Sequence, residues 1–265
     1  MIRKSIGLIN ILSIDVAIGA VCSAFFFGRV NDTKIDPVTA VVLGLSVWVI
    51  YTADHLLDAG KIKSRAAALR HQVHQQHYVP LRNAIIIVTA LVVLLLFFLP
   101  GAVLLSGMAL AVIVLLYLIF HPRLKGFKEI CIAVLYTVGV LIPSLKNVKS
   151  LEEIPVALLV VFALTAFINL VMFSWYSQKE DLQDGHASIV TRMGNRNTQW
   201  LIYGLFLVVT VITMLHAFAI PYLLLWIMNI GMLFIYMFPG YFAFAERYRI
   251  WGDAMFFIPV LYLLT

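Results

Sequence analysis

The chain has 265 residues, 63% of them hydrophobic and only 12% charged, with a mean hydropathy of +0.99. Soluble domains carry roughly 25% charged residues, so a water-soluble fold is excluded, and the long unalternated apolar stretches exclude a β-barrel. The net charge of +6 lies between those stretches, which reads as membrane topology rather than nucleic-acid binding.

A helix satisfies its own backbone in lipid and needs roughly 20 apolar residues to cross it. On that measure the chain is an all-α, polytopic membrane bundle of about nine spans. The first, 5–28, is too long for a signal-peptide core and is read as a retained helix. It holds Cys22, and also Asp15 near Asn10 and Ser13. An acid at membrane depth is either functional or hydrogen-bonded inside the bundle. Asp32 and Pro37 interrupt the chain before the second span, 36–58, which ends in Tyr51-Thr-Ala-Asp54-His-Leu-Leu-Asp58. A long loop, 59–79, follows with Lys61, Lys63, Arg65 and Arg70, and with His71, His74 and His77 at every third position.

Spans 80–99 and 101–120 meet at a Pro100-Gly101 turn, and Pro122 opens the loop 121–127, which carries Arg123 and Lys125. The fifth span, 127–146, contains Lys128 and Cys131; the two cysteines form no metal or disulfide pattern. The sixth, 154–178, starts at Pro155, contains Asn169, and leads into Trp175-Tyr176-Ser-Gln-Lys-Glu180-Asp181-Leu-Gln-Asp184. The second long loop, 179–198, adds Arg192 and Arg196, and spans 199–217, 220–240 and 248–264 complete the chain. Residues 1–265 read as one membrane domain whose loops 59–79, 121–127 and 179–198 cap one end. With the N-terminus in the cytoplasm, fifteen Lys and Arg fall on that side, against Arg29, Lys34, Lys146 and Lys149 on the other.

Asp54 and Asp58 are four apart, so a helix points both the same way, and Glu180 and Asp184 repeat the spacing. Each pair repels itself, and each sits at the helix end where acids oppose the macrodipole. A divalent cation removes both costs. Magnesium takes one or two carboxylates and completes its shell with water and phosphate oxygens. Two such clusters on one side therefore suit two ions around a diphosphate, with the basic loops as the cradle. The alternative is solvated helix ends with ordinary positive-inside charge.

The pattern resembles the UbiA superfamily of intramembrane prenyltransferases, which has nine spans and aspartate-rich motifs after the second and sixth. In the family's first motif, Asn-Asp-x-x-Asp-x-x-x-Asp, the last two acids correspond to Asp54 and Asp58, while Ile50 and Tyr51 replace the leading pair. Tyr176, Glu180 and Asp184 fit the second motif, a tyrosine before Asp-x-x-x-Asp, with glutamate for its first acid. The tail Ser188-Ile-Val-Thr-Arg192-Met-Gly194 resembles the end of the second loop, and Leu124-Lys-Gly-Phe-Lys128-Glu129 the entry to the fifth helix. The family's Arg-Pro-Leu-x-x-Gly stretch is absent, and Arg70-His71-Gln-Val-His74-Gln-Gln-His77 stands in its place.

The resemblance implies Mg²⁺-dependent transfer of an isoprenyl group from its diphosphate to an unidentified acceptor at the cytoplasmic face. Asp54, Asp58, Glu180 and Asp184 would be the catalytic, metal-holding acids. Tyr51, Lys61, Arg65, Arg70, Lys125, Lys128, Tyr176, Asp181 and Arg192 would bind substrate. A bacterial inner membrane is the expected location. Two other classes stay open: a transporter or ion-coupled carrier, for which no inverted repeat is visible, and a UbiA-like lipid binder without catalysis. The three loop histidines read as a polar lid over the diphosphate, or as a transition-metal site.

Overall fold

The computed structural model describes residues 2–120, 124, 126–147, 154–217 and 219–265, and every regular element among them is helical. The first predicted span is two helices, α1 (Ile2–Ile11) and α2 (Ile14–Val30). Ser13 breaks them with a left-handed backbone, φ 56°. Around the break, Asn10 Nδ2 donates to Asp15 Oδ2 at 2.6 Å and to Asp253 Oδ2 at 2.9 Å. Asp15 is thus hydrogen-bonded inside the bundle, where an unsatisfied acid would be costly.

Helix α3 (Pro37–Lys61) starts on Asp36, whose carboxylate accepts from Thr39 N at 2.8 Å and Thr39 Oγ1 at 2.6 Å. Pro37 at the first position suits a helix start because its missing N–H has no partner there anyway. The short α4 (Leu69–Gln76) lies within the first long loop, and α5 (Tyr78–Leu96) and α6 (Gly101–Phe120) are joined by a turn at Pro100. Next come α7 (Lys128–Leu141), tightening to a 3₁₀ turn over Ile142–Asn147, and α8 (Val156–Tyr176). The second loop folds into α9 (Gln178–Asp184) and α10 (Ile189–Met193), followed by α11 (Asn195–Leu215), α12 (Ile220–Met237) and α13 (Pro239–Phe242). Finally α14 (Arg247–Ala254) runs into a 3₁₀ stretch, Met255–Leu264.

Among the described residues seven helices are long and apolar enough to cross a membrane: α3, α5, α6, α7 with its extension, α8, α11 and α12. The chain is an integral membrane bundle, and these seven uninterrupted helices among the described residues compare with about nine spans expected. The shortfall falls at the first stretch, broken at Ser13, and at the last, wound as 3₁₀ helix around Pro259. Proline removes a donor and forbids a regular α-helical bond at its position.

Helix α8 forms the core, packed on α7, α11 and α12. Phe162 at its centre meets Phe27 at 5.2 Å, Phe256 at 5.9 Å and stacks on Tyr136 at 6.1 Å, ring centroid to centroid. Conversely, α5 and α6 expose Ile86, Ile87, Leu94, Leu105, Leu115 and Ile119. That outward apolar face suits hydrocarbon rather than water. Helix α14 lies close on α8 because position 252 is glycine. A Cβ there would stand 2.6 Å from Asn169 Oδ1 and from Phe173 Cε1.

Candidate active site

Under the two long loops, a cavity of about 160 Å³ opens at one end of the bundle. Helix α3 sends in Tyr51, Asp54, His55 and Asp58. The i, i+4 spacing puts Asp54 and Asp58 on one stripe, and Tyr51 one turn deeper. Helix α7 contributes Lys128 and Glu129 at its first turn, and α14 contributes Arg249 and Asp253, again four apart. From the loops come Arg70, His71, Asp181 and His186.

Several of these groups are fixed by neighbours. Arg70 Nη1 lies 2.8 Å from His55 Nε2, and its Nη2 donates to Asn10 O and Oδ1, both at 3.2 Å. This contact ties the first loop to α1 and α3. Glu129 Oε1 accepts from Ser174 Oγ at 3.0 Å and from Ile189 N at 2.9 Å, tying α7 to α8 and α10. Its other oxygen, Oε2, is buried without a hydrogen-bond partner. Asp253 Oδ1 accepts from Asn169 Nδ2 at 3.4 Å. Arg249 Nε lies 3.4 Å from Glu246 Oε2, with its guanidinium over the Phe173 ring.

Of the residues expected to bind substrate or metal, the cavity gathers Tyr51, Asp54, Asp58, Arg70, Lys128 and Asp181. Lys61 stands beside it, its Nζ 2.9 Å from Asp58 Oδ1 and its side chain 44% exposed. Three others make contacts away from the cavity. Arg65 donates to Gln72 Oε1 at 3.0 Å in an exposed loop. Tyr176 donates its hydroxyl to Ile235 O at 2.6 Å and stacks on Tyr248. Arg192 lies over the Phe127 ring. Lys125, with Arg123, lies outside the described residues.

The second acidic pair differs most from expectation. Neither Glu180 nor Asp184 lines the cavity; Ser177 and Asp181 do. The chain turns at Ser177 between α8 and α9, so spacing counted from α8 does not fix which i, i+4 pair enters the cavity. Asp184 instead takes Ala67 N on Oδ1 at 2.6 Å and Ala68 N on Oδ2 at 3.3 Å, with His71 Nδ1 3.2 Å from Oδ2. It clamps the first loop to the second.

Electrostatics follow from these placements. Burial pushes Asp181 up to about 6, against the pull of Lys128 and Arg249. Burial also pushes His71 down to about 4 despite its contact with Asp184, and lowers His186. For Asp184 burial acts upward, but the Ala67 N–H, His71 and the Ala68 N–H hold it below the usual carboxylate range. The three loop histidines part company: His74 is buried with Nδ1 on Arg70 O at 2.8 Å, and His77 is exposed. His71 faces His186 instead, ring centroids 5.0 Å apart.

Among the residues lining the cavity, sequence reasoning gave no site role to His55, Glu129, Ser177, His186, Arg249 and Asp253, and noted Asn169 only as a polar residue within a span. The pairs Ser177/Asp181 and Arg249/Asp253 carried a usable signal in their i, i+4 spacing. Asn169 carried the weaker signal of a polar side chain inside an apolar span, and Glu129 carried none.

A second cavity, of about 500 Å³ and almost wholly apolar, lies between α3, α5, α6 and α7. Tyr51, Ile132 and Tyr136 line both cavities, so the polar one and the apolar one adjoin at these three side chains.

No protein family matches the chain by sequence, and no curated protein does either. Solved structures match by fold. An apo UbiA homologue from Aeropyrum pernix K1 aligns with a TM-score of 0.72 at 13% identity, over 95% of this chain and 98% of that one. A UbiA homologue from Archaeoglobus fulgidus, bound to GPP and Mg²⁺, gives 0.64 at 14% identity, over 98% and 100%. A structure described as digeranylgeranylglyceryl phosphate synthase in membranes gives 0.59 at 14% identity, over 100% and 98%. The chain has the fold of these UbiA homologues along nearly its whole length.

Proposed function

We propose that this UbiA-fold chain is a Mg²⁺-dependent prenyltransferase, taking an isoprenyl diphosphate and an acceptor at the cytoplasmic face of the membrane. One observation carries the reading: a cavity lined by acids and bases adjoins, at two tyrosines, a larger apolar one. An isoprenyl diphosphate has that division, an anionic head on a hydrocarbon tail. The side holding fifteen of the Lys and Arg is taken as cytoplasmic.

The residues present fit magnesium. Asp54, Asp58, Asp181 and the unpartnered Oε2 of Glu129 make an all-oxygen donor set at one cavity, the kind hard cations prefer. Asp54, Asp58 and Asp181 would hold the ion, which when bound neutralises charge on the leaving diphosphate. Lys128, Arg70 and Arg249 face the same space and offer donors to diphosphate oxygens as their charge grows. The allylic C1–O bond breaks with its electron pair on the diphosphate. Tyr51 and Tyr136, where the cavities adjoin, are aromatic side chains of the kind that would stabilise the allylic cation left behind. The apolar walls of α3, α5, α6 and α7 would keep water from it and take up the tail. The acceptor then bonds C1 and loses a proton, for which Asp253 and His55 stand in the cavity wall.

The non-catalytic lipid-binding reading retains one observation: Ile50 and Tyr51, where the resemblance leads one to look for Asn-Asp, bring no carboxylate to the site. One experiment separates the two. Purified protein is tested for Mg²⁺-dependent binding of a non-hydrolysable geranylgeranyl diphosphate analogue, then for diphosphate release from the hydrolysable donor with candidate acceptors. Binding with release supports transfer, and binding without release under any acceptor supports lipid binding. Absence of binding at every Mg²⁺ concentration refutes the prenyltransferase reading.

A further inference from the structure

His71, Asp184 and His186 bring one ligand atom each to within 4.8 Å of one another, at the mouth of the polar cavity. His71 comes from α4 in the first loop; Asp184 and His186 flank Gly185 in the second. Gly185, at φ 72°, turns the chain so that both of its neighbours face α4. Left-handed backbone is cheap for glycine alone.

We propose that these three side chains form a zinc-class transition-metal site that staples the two loops together over the cavity. The donor set is the first reason. Two imidazoles and a carboxylate form a familiar three-ligand zinc set, leaving a fourth position for water. Imidazole also selects zinc-class ions over magnesium, which favours oxygen. The second reason is an unfilled valence: His186 Nε2 is buried where the two loops meet and has no hydrogen-bond partner. Buried polar atoms are nearly always partnered, and a missing partner calls for an explanation. The third is orientation. Asp184 is already held by Ala67 N–H and Ala68 N–H, the kind of outer contact that fixes a ligating carboxylate.

The geometry needs little adjustment. Zinc bonds of about 2.0–2.2 Å set tetrahedral ligand atoms roughly 3.3–3.5 Å apart. The pair His71 Nδ1 and Asp184 Oδ2 stands at 3.2 Å, so His186 has to close by about 1 Å, within reach of a side-chain rotation. Because the ligands belong to different loops, metal binding and loop closure are one equilibrium. The site is separate in chemistry from the oxygen-only set around Asp54 and Asp58, and the inference does not depend on prenyl transfer.

The test uses tag-free, chelator-stripped protein in detergent. Zn²⁺ is titrated against a chromophoric chelator, and Co²⁺ is added separately for its tetrahedral d–d absorption. Expected are one zinc equivalent per chain, intense cobalt bands, and an affinity at least ~100-fold weaker in His71→Gln and His186→Gln. His77→Gln, on the exposed end of the same helix, should bind as the wild type does. Excess Mg²⁺ should not displace the zinc. Stoichiometric binding that survives both His71→Gln and His186→Gln, or that Mg²⁺ displaces, overturns the proposal. If either variant does not fold, the wild-type cobalt spectrum decides, and a spectrum without tetrahedral bands counts against the site.

Discussion

Replacing Asp184 by alanine should loosen the first loop rather than strip the cavity of a ligand. The carboxylate is 3% exposed, so water does little to screen its contacts. It accepts from Ala67 N at 2.6 Å, from Ala68 N at 3.3 Å, and lies 3.2 Å from His71 Nδ1. A hydrogen bond to a charged group contributes about 1.5–3 kcal/mol. Taking the short contact at that value and the two longer ones as weaker, the clamp stabilises loop closure by about 2–4 kcal/mol. Tenfold corresponds to about 1.4 kcal/mol, so amide hydrogen exchange at residues 67 and 68 should quicken by ~30- to ~1,000-fold in the metal-free protein. Asp184→Asn should recover part of the protection, since its carbonyl still accepts from Ala67. Hydrogen exchange with mass spectrometry in nanodiscs reads this directly. Unchanged exchange at 62–69 would refute the clamp, and if Mg²⁺-dependent diphosphate binding vanished at the same time, Asp184 would be a ligand of the magnesium site.

Other substitutions test the remaining assignments. Asp54→Asn and Asp58→Asn should each weaken Mg²⁺-dependent binding of the diphosphate analogue by at least ~100-fold, measured by isothermal titration; a loss under threefold would remove these acids from the site. Gly107 lines the apolar cavity, and a Cβ there meets nothing within 4 Å. Gly107→Trp should therefore fold and shorten the tail accepted, at roughly 4 kcal/mol per excluded five-carbon unit, seen by comparing donors of increasing length. Gly252→Ala should destabilise by about 1–3 kcal/mol, because its methyl meets Asn169 and Phe173 at 2.6 Å; an unchanged thermal midpoint would mean α14 is not held against α8. Asp36→Ala should cost about 1 kcal/mol through loss of the α3 cap. Hydrogen bonds from Thr39 outweigh burial and hold the Asp36 carboxyl below its usual value. Its contribution is therefore full above the ordinary aspartate range and fades as pH falls through that lowered value, so variant and wild type should converge in strongly acid buffer.

The i, i+4 rule worked where the helix was unbroken. Asp54 and Asp58 lie within a 25-residue helix with one phase throughout, so their common direction was legible. After α8 the same rule failed. The chain breaks at Ser177 before α9 begins, and a break resets helical phase. Spacing alone then cannot choose between Glu180/Asp184 and Ser177/Asp181. The loop histidines failed for a related reason: their three-residue interval is real on α4, but burial sorts them, with His74 inward, His77 outward and His71 toward the second loop.

Hydropathy, helix-breaking residues and the distribution of Lys and Arg were enough to establish a helical membrane protein with its polar chemistry at one end. Those properties are local, set by each segment's own transfer energy and backbone preferences. Partnerships between distant residues are not local. That Asp253 meets Asn10, that Arg70 meets His55, that His186 meets His71, and that two tyrosines stand where a polar cavity adjoins an apolar one, depend on how the helices and loops pack around α8. Packing is decided by the shapes of all the helices together, and only the tertiary structure carries that information.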